Sequence, residues 1–526
     1  MKKYKNLFLL LVFLVASCTK LDETVYHNIT TENFFKTEQE YISALGPAYL
    51  SMQQFFSETN TLFEESCSDE IVVPKRGPDW GEPWTTLHSH TWVATDWEIK
   101  NAWDYAYGVV NKSNNALLQI KNVKSTVDPK LKALFYGEFS VLRDWGYYHL
   151  IDLFGGVPLV KRFDIPTDTV LARTSRKDVF DFCVNDIKAN LPGLTREVNQ
   201  ASYGRFNKWS AYALLAKFYL NAEVFSGTAR WQDCITACDS IINSGLFSLQ
   251  PNYFDCFAYN DGPQTKENIL AVPFDQLKSD PWVWLLIWDT FDNDMNRIFG
   301  MANGGWNGLC AMPSFIHSFN PADKRLKGWV WGQQFAQNGD SIRCTGMDQP
   351  RPLNLTIDFT VLPPYKGHTP DNGIYDYSQA REYMGARLVK YSPGPNLTGW
   401  CMDNDPPVYR YADILMMKAE CLMRLSGGAA TSAAVDLVNQ VRARAFDSDP
   451  AAYTTSTLTM DALLKERQWE FYGEFTRRND MVRFGKFVRG TWEWADRSSE
   501  SDTRNLFPIP QQVRDANSAI IQNPGY

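Results

Sequence analysis

KWSAYALLAKFYLNAEVF (208–225) and, after a short Ser-Gly-Thr turn, WQDCITACDSIIN (231–243) decide how this chain folds. Apolar residues recur at three- and four-residue spacing through both segments, the period of a helix that buries one face. Ala211, Ala213 and Ala216 are small enough for a second helix to approach closely, while aromatics and leucines fill the space between. The same plan returns near the C-terminus. VYRYADILMMKAECLMRL (408–425) and AAVDLVNQVRARA (433–445) flank Ser426-Gly427-Gly428, with Ala412 and Ala419 as the small residues. Such helix-turn-helix pairs resemble tetratricopeptide units, although their spacing along the chain is irregular. They predict a scaffold and say little about chemistry.

Working outward, the same periodicity predicts helices over 41–56, 97–120, 131–154 and 461–474, and another from Thr174 to about Ala189. The helix over 131–154 should stop at Gly155-Gly156, with Pro158 just beyond. Between about 250 and 405 the character changes. Stretches such as NGGWNG, LPPYKGHTPDNG and SPGPNLTGW break the helical period with Gly, Pro, Asn and Asp. The expected fold is therefore mainly α. A helical scaffold occupies about 37–250 and 405–490, and a loop-rich region with short strands occupies 250–405, joined by a smaller loop over 74–96. Loops carried on a rigid scaffold are where binding residues concentrate.

The composition is that of a folded globular protein, 44% hydrophobic and 21% charged. A net charge of −8 leaves no basic footprint for nucleic acid. At the N-terminus, Lys2, Lys3 and Lys5 precede the apolar run LFLLLVFLVA (7–16), which is too short to span a membrane as a helix. This is the pattern of a secretory signal peptide over 1–17. The ending VASC looks like a bacterial lipobox, with Cys18 as the lipidated first residue of a single mature domain over 18–526. Several acyl chains there would anchor the body stably to a membrane surface. The other nine cysteines have no regular spacing and read as small buried hydrophobes, with room for at most an occasional disulfide. Cys234 and Cys238 lie one helical turn apart, but no second pair or nearby His completes a zinc set.

No nucleophile elbow, phosphate loop, dinucleotide turn or zinc-protease helix is present. The carboxylate pairs Glu64-Glu65 and Asp69-Glu70 meet only the bare requirement for a glycoside hydrolase. His88 and His90 read as surface or loop residues. DTFDNDMN (289–296) resembles a calcium loop only at its start, since Arg297 replaces the required Gly and Asn303 the final Glu. No cofactor is expected beyond that weak calcium candidate, and no catalytic residue is assigned.

Several segments together resemble the SusD/RagB family of outer-membrane nutrient-binding lipoproteins. They are Cys18 followed by LDE, SDE at 68–70, LRDWGYYHLIDLFGGVPLV (142–160) and YGRFNKWSAYALLAKFYL (203–220). YRYADILMMKAECL (409–422), KERQWEFYGEFTRRNDMVRFGKF (465–487) and LFPIPQQVRDANSAIIQNPGY (506–526) follow in the same order. Asn207, Trp209 and Tyr472 depart from the residues commoner there. The resemblance implies a non-enzymatic glycan-binding lipoprotein on the cell surface. It also implies a partner, a SusC-like TonB-dependent transporter of the outer membrane. Glycan contacts in that family come from variable loops, so the ligand has to be read from this chain.

Six of the eighteen tryptophans fall between residues 282 and 331, a density that calls for a cause. A pyranose presents a face of C–H bonds that packs on an indole, while its hydroxyls turn to amides and carboxylates. The candidate glycan contacts are Trp80, Trp84, Trp282, Trp284, Trp306 and Trp331, with Asn303 and Asp289 as polar neighbours. In DPWVWLLIWDT (280–290), strand alternation would put Trp282 and Trp284 on one face. Trp103, Trp145, Trp209 and Trp469 lie on helical apolar faces and read as core. Trp faces in a row suit a flat, extended chain, such as a β-glucan of the xyloglucan type. A peptide-binding lid, the alternative, would favour charged and strand-pairing groups over exposed indoles.

Overall fold

A computed structural model describes residues 35–56, 63–76, 80–123, 128–166, 168–344, 351–359, 377–378, 380–395, 397–448, 451–497 and 500–526. The expected signal peptide and Cys18 lie outside these residues, as does part of the 74–96 loop. The main helices are α1 (Glu38–Phe55), α2 (Trp97–Asn122), α3 (Pro129–Phe154), α4 (Arg176–Asn190), α5 (Lys208–Leu220) and α6 (Trp231–Ile242). After the loop-rich region come α7 (Tyr411–Leu425), α8 (Ser432–Ala443), α9 (Met460–Phe471) and α10 (Arg477–Arg483).

Their ends follow local chemistry. Thr37 and Glu40 form a capping box on α1, and Asn207 and Ser210 form one on α5. Gly155 ends α3 as expected. The long segment over 208–225 divides, because the helix closes at Asn221 and a short turn, Ala222–Ser226, continues it.

Consecutive helices pack against each other from α1 to α4, and α6 packs on both α5 and α7, so the two repeat-like pairs share one core. α2 and α3 run antiparallel: Trp103 meets Phe154 edge-on at 5.1 Å, and Asn114 accepts from Arg143 at 3.1 Å. They come so close that a Cβ on Gly146 would sit 2.9 Å from the Ala106 carbonyl oxygen. Trp103 and Trp145 are core residues, whereas Trp209 and Trp469 pack on the core while partly exposed.

The region over 250–405 holds short strands and turns. Among the described residues its one four-residue strand, β1 (Asn268–Ala271), pairs antiparallel with β2 (Pro407–Arg410), which leads directly into α7. At that junction lies a buried ion network. Glu466, Glu470 and Glu474 recur every four residues at and just beyond α9, so they point to one side. Arg410 donates to Glu474 at 2.7 Å and to Glu267 at 2.6 Å, and Lys390 reaches Glu474 at 2.6 Å. Arg325 reaches Glu466 at 2.8 Å and Glu470 at 3.2 Å. Burial alone would raise the Glu470 carboxyl, but Arg444, Arg410 and Arg325 hold it down to about 2.

His88 and His90 are buried, contrary to the reading from sequence. The His90 ring lies against Trp92 and Phe487, and burial pushes His88 down to about 3 and His90 to about 4. The eight described free cysteines are buried, as expected of small hydrophobes.

Burial also pushes Glu64 up, to about 8, with Asp152 adding to the effect. An acid raised in this way is protonated in the fold. Its stabilising contribution is full below the ordinary value of 4.5 and declines as pH rises towards 8. Glu64→Gln, neutral throughout, is expected to gain stability over the natural chain between pH 5 and 8. Thermal unfolding of both chains across that range tests this, and parallel curves would contradict it.

Candidate glycan-binding site

Three indoles from distant parts of the chain meet in the loop-rich region. Trp282 lies 5.0 Å from Trp400 and 6.2 Å from Trp306, and Trp306 lies 5.6 Å from Trp400, centroid to centroid. The planes are parallel to within 12°. Parallel rings this close cannot lie edge to edge in one plane, and nearly equal separations exclude a single straight column. The arrangement is a slipped stack. Trp282 is 55% exposed, while Trp306 and Trp400 are half-buried.

Backbone pairing assembles it. The Trp282 N–H donates to the Trp400 carbonyl at 2.9 Å, and the Met402 N–H to the Trp284 carbonyl at 3.1 Å. The Trp306 N–H donates to the Trp288 carbonyl at 2.7 Å. Trp282 has φ +80°, a conformation that costs an L-residue roughly 1–2 kcal/mol. Strain held at an exposed aromatic marks a position whose orientation matters more than local comfort.

Polar groups fix the loop beneath Trp400. Gln276 donates to Asp403 at 2.8 Å and accepts from the Thr398 N–H at 3.1 Å. Asn303 donates to the Thr398 carbonyl at 3.4 Å, which places it beside the same loop.

A second line of rings leads away from Trp306. The Trp80 indole N–H donates to the Trp306 carbonyl at 2.6 Å, and its ring lies over Gly308, where a Cβ would come within 2.7 Å. Trp84 is 6.0 Å from Trp80 and meets Trp97 edge-on at 5.6 Å. Trp84 is buried and Trp97 is 44% exposed. Trp80, half-buried like Trp306, is tied to the stack through the Trp306 carbonyl, and Trp84 packs within the protein.

Asp292 caps a short 3-10 turn, and Asp294 is already paired with Arg297 at 3.0 Å. No group of three or more His, Cys, Asp or Glu placed to hold a metal ion occurs among the described residues.

The family model for the SusD family matches residues 244–526, more than half of the chain. The chain belongs to the SusD family. A second model, described as starch-binding and associating with the outer membrane, matches residues 21–220. The Starch-binding protein SusD of Bacteroides thetaiotaomicron is 27% identical over 74% of this chain and 72% of its own. A SusD-like protein of Formosa agariphila is 23% identical over 98% of both chains. Among solved structures, a laminarin-binding SusD-like protein superposes with a TM-score of 0.73 at 21% identity, covering 94% of this chain and all of its own. Surface glycan-binding protein A of Bacteroides thetaiotaomicron, in complex with laminarihexaose, gives a TM-score of 0.70 at 18% identity over 92% of this chain and 99% of its own.

In this SusD-family chain, Trp282, Trp306 and Asn303 come together in one region, with Trp80 bonded to the Trp306 carbonyl. Trp284 does not share the face of Trp282. It is fully buried and stacks on Phe274 at 5.8 Å, because the positive φ at Trp282 breaks the strand alternation that would have paired them. Asp289 is also buried, its carbonyl accepting the N–H groups of Gly308 and Leu309 at 2.8 Å. Trp331 is 38% exposed but makes no ring contact with the stack among the described residues. Trp400 was not among the sequence candidates. The available signal was its place in a Pro/Gly-rich loop, SPGPNLTGW, the same signal that singled out Trp80 and Trp306.

Proposed function

We propose that this chain is a glycan-binding protein of the cell surface that captures polysaccharide on the stack formed by Trp282, Trp306 and Trp400. The observation that carries the reading is the parallel indole cluster, with Trp282 exposed and Trp306 and Trp400 half-buried, built from three separate loops and held by backbone pairing. The binding of laminarihexaose and starch by family relatives supports a sugar as the ligand class. Indoles tilted by no more than 12° form no curved arc, which favours a flat, extended β-glucan of the xyloglucan type over a helical α-glucan. The protein is lipidated at Cys18, sits at the outer membrane, and delivers glycan to a SusC-like TonB-dependent transporter. It binds without cleaving.

Titration calorimetry of the purified mature chain with xyloglucan, laminarin and soluble starch tests the ligand. Binding heat with a β-glucan and none with starch is expected; the reverse order would overturn the β-glucan assignment. In the same samples no new reducing ends should form, and their appearance would overturn the non-enzymatic reading.

A further inference from the structure

Beside the indole stack, residues 300–303 join two loops that are distant in sequence. At one end the Ala302 N–H donates to the Leu397 carbonyl at 3.0 Å, and Asn303 donates to the Thr398 carbonyl at 3.4 Å, two residues before Trp400. At the other end the Gln337 N–H donates to the Arg297 carbonyl at 3.1 Å, and the Gln337 side chain lies over Gly300. Gly300 closes the short helix Asn296–Phe299 at φ +66°, and a Cβ there would come within 2.6 Å of Gln337 Oε1. Glycine is what lets that amide sit so close.

These contacts make a continuous strip from Gln337 to Trp400. Gly300, Ala302, Gln337 and Thr398 are exposed and Asn303 is half-buried, so the strip is open to solvent along its length. The step over 300–303 covers at most roughly 11 Å. Gln337 therefore stands close to the stack without being part of it.

The polar groups along the strip differ in what they can still bind. The flanking charges are engaged, Arg297 with Asp294 at 3.0 Å and Asp403 with the Gln276 amide at 2.8 Å. The amides are not. Among the described residues the Gln337 side chain makes no hydrogen bond, and Asn303 spends its N–H on Thr398 while its Oδ1 accepts nothing. An amide offers a donor and an acceptor side by side, which matches a hydroxyl that is both at once. Indoles take the C–H faces of sugar rings, and a few placed amides beside them take the hydroxyls.

We infer that Gln337 and Asn303 form a polar subsite beside the stack that holds hydroxyl groups of a glycan chain reaching past the indoles, so that long chains bind more tightly than short ones. The inference deepens the glycan-binding reading and rests on it. Titration calorimetry with cellotriose, cellohexaose, laminaritriose and laminarihexaose on the natural chain, Gln337→Ala and Trp282→Ala tests it. At least one hexamer should bind the natural chain more tightly than its trimer. Gln337→Ala should weaken hexamer binding roughly fivefold, the worth of one neutral hydrogen bond, and leave trimer binding as it is. Its thermal unfolding should match that of the natural chain, since the side chain it removes is exposed. Equal affinities for trimer and hexamer, or a Gln337→Ala chain that keeps the full preference for the hexamer, would overturn the subsite. If Trp282→Ala still abolished binding in that case, the glycan-binding reading would stand without it. Equal weakening of trimer and hexamer by Gln337→Ala would also overturn the subsite, by assigning Gln337 to the stack. So would the absence of binding to all four oligosaccharides, and gel retardation by a polysaccharide would then decide whether the glycan-binding reading survives.

Discussion

Truncating Trp400 to alanine is expected to weaken glycan binding roughly 30-fold or more, the loss typical when a central aromatic anchor is removed from a binding surface. The half-buried Trp400 ring lies against both Trp282 and Trp306, so its removal takes away the ring that the other two share. Trp282→Ala removes the exposed ring directly and should cost a similar factor with little loss of stability, since that side chain is 55% exposed. Trp284→Ala is the informative contrast. Its ring is fully buried, so the substitution should lower stability, and any loss of binding should follow the loss of fold. Titration calorimetry and thermal unfolding on the same three variants separate the cases. A Trp400→Ala chain that binds as tightly as the natural one would remove the stack from the site.

The second large effect is on stability. Arg410→Met should destabilise the protein by about 3–5 kcal/mol, because it removes one cation from a buried network and strands its carboxylates. Arg410 contacts Glu267, Glu470 and Glu474 at 2.6, 3.1 and 2.7 Å, and none of these four side chains has appreciable solvent access. The network ties β1 and β2 of the loop-rich region to α9 of the scaffold, so its loss should loosen the platform that carries the indoles. Urea unfolding with a midpoint unchanged within error would contradict this. The motifs YRYAD and KERQWEFYGE acquire a physical meaning here. They place Arg410 opposite a column of glutamates spaced by one helical turn.

The helices were legible because their signal is local. Small residues and apolar periodicity in 208–243 and 408–445 describe the same pairs that pack in the fold. The site was legible only in part. Its loops could be recognised by Gly and Pro, Trp80, Trp84 and Trp306 by the lack of any apolar period around them, and Trp282 by the density of tryptophans in DPWVWLLIWDT. Trp400 is brought to Trp282 by a backbone pairing across more than a hundred residues, which no local pattern encodes. Trp284 was placed by strand alternation, and a single positive φ at Trp282 reversed that placement. His88 and His90 looked like loop residues, yet rings distant in sequence help bury them: Tyr377 and Trp494 lie against His88, and Phe487 against His90.

The central claim is that the slipped stack grips a sugar, and native electrophoresis of the mature chain through gels cast with xyloglucan, laminarin or starch tests it most directly. The natural chain should be retarded by at least one glycan, and the folded Trp282→Ala variant should migrate through that gel as through a gel without polysaccharide. Equal retardation of the two proteins, or no retardation of the natural chain by any of the glycans, would contradict the account.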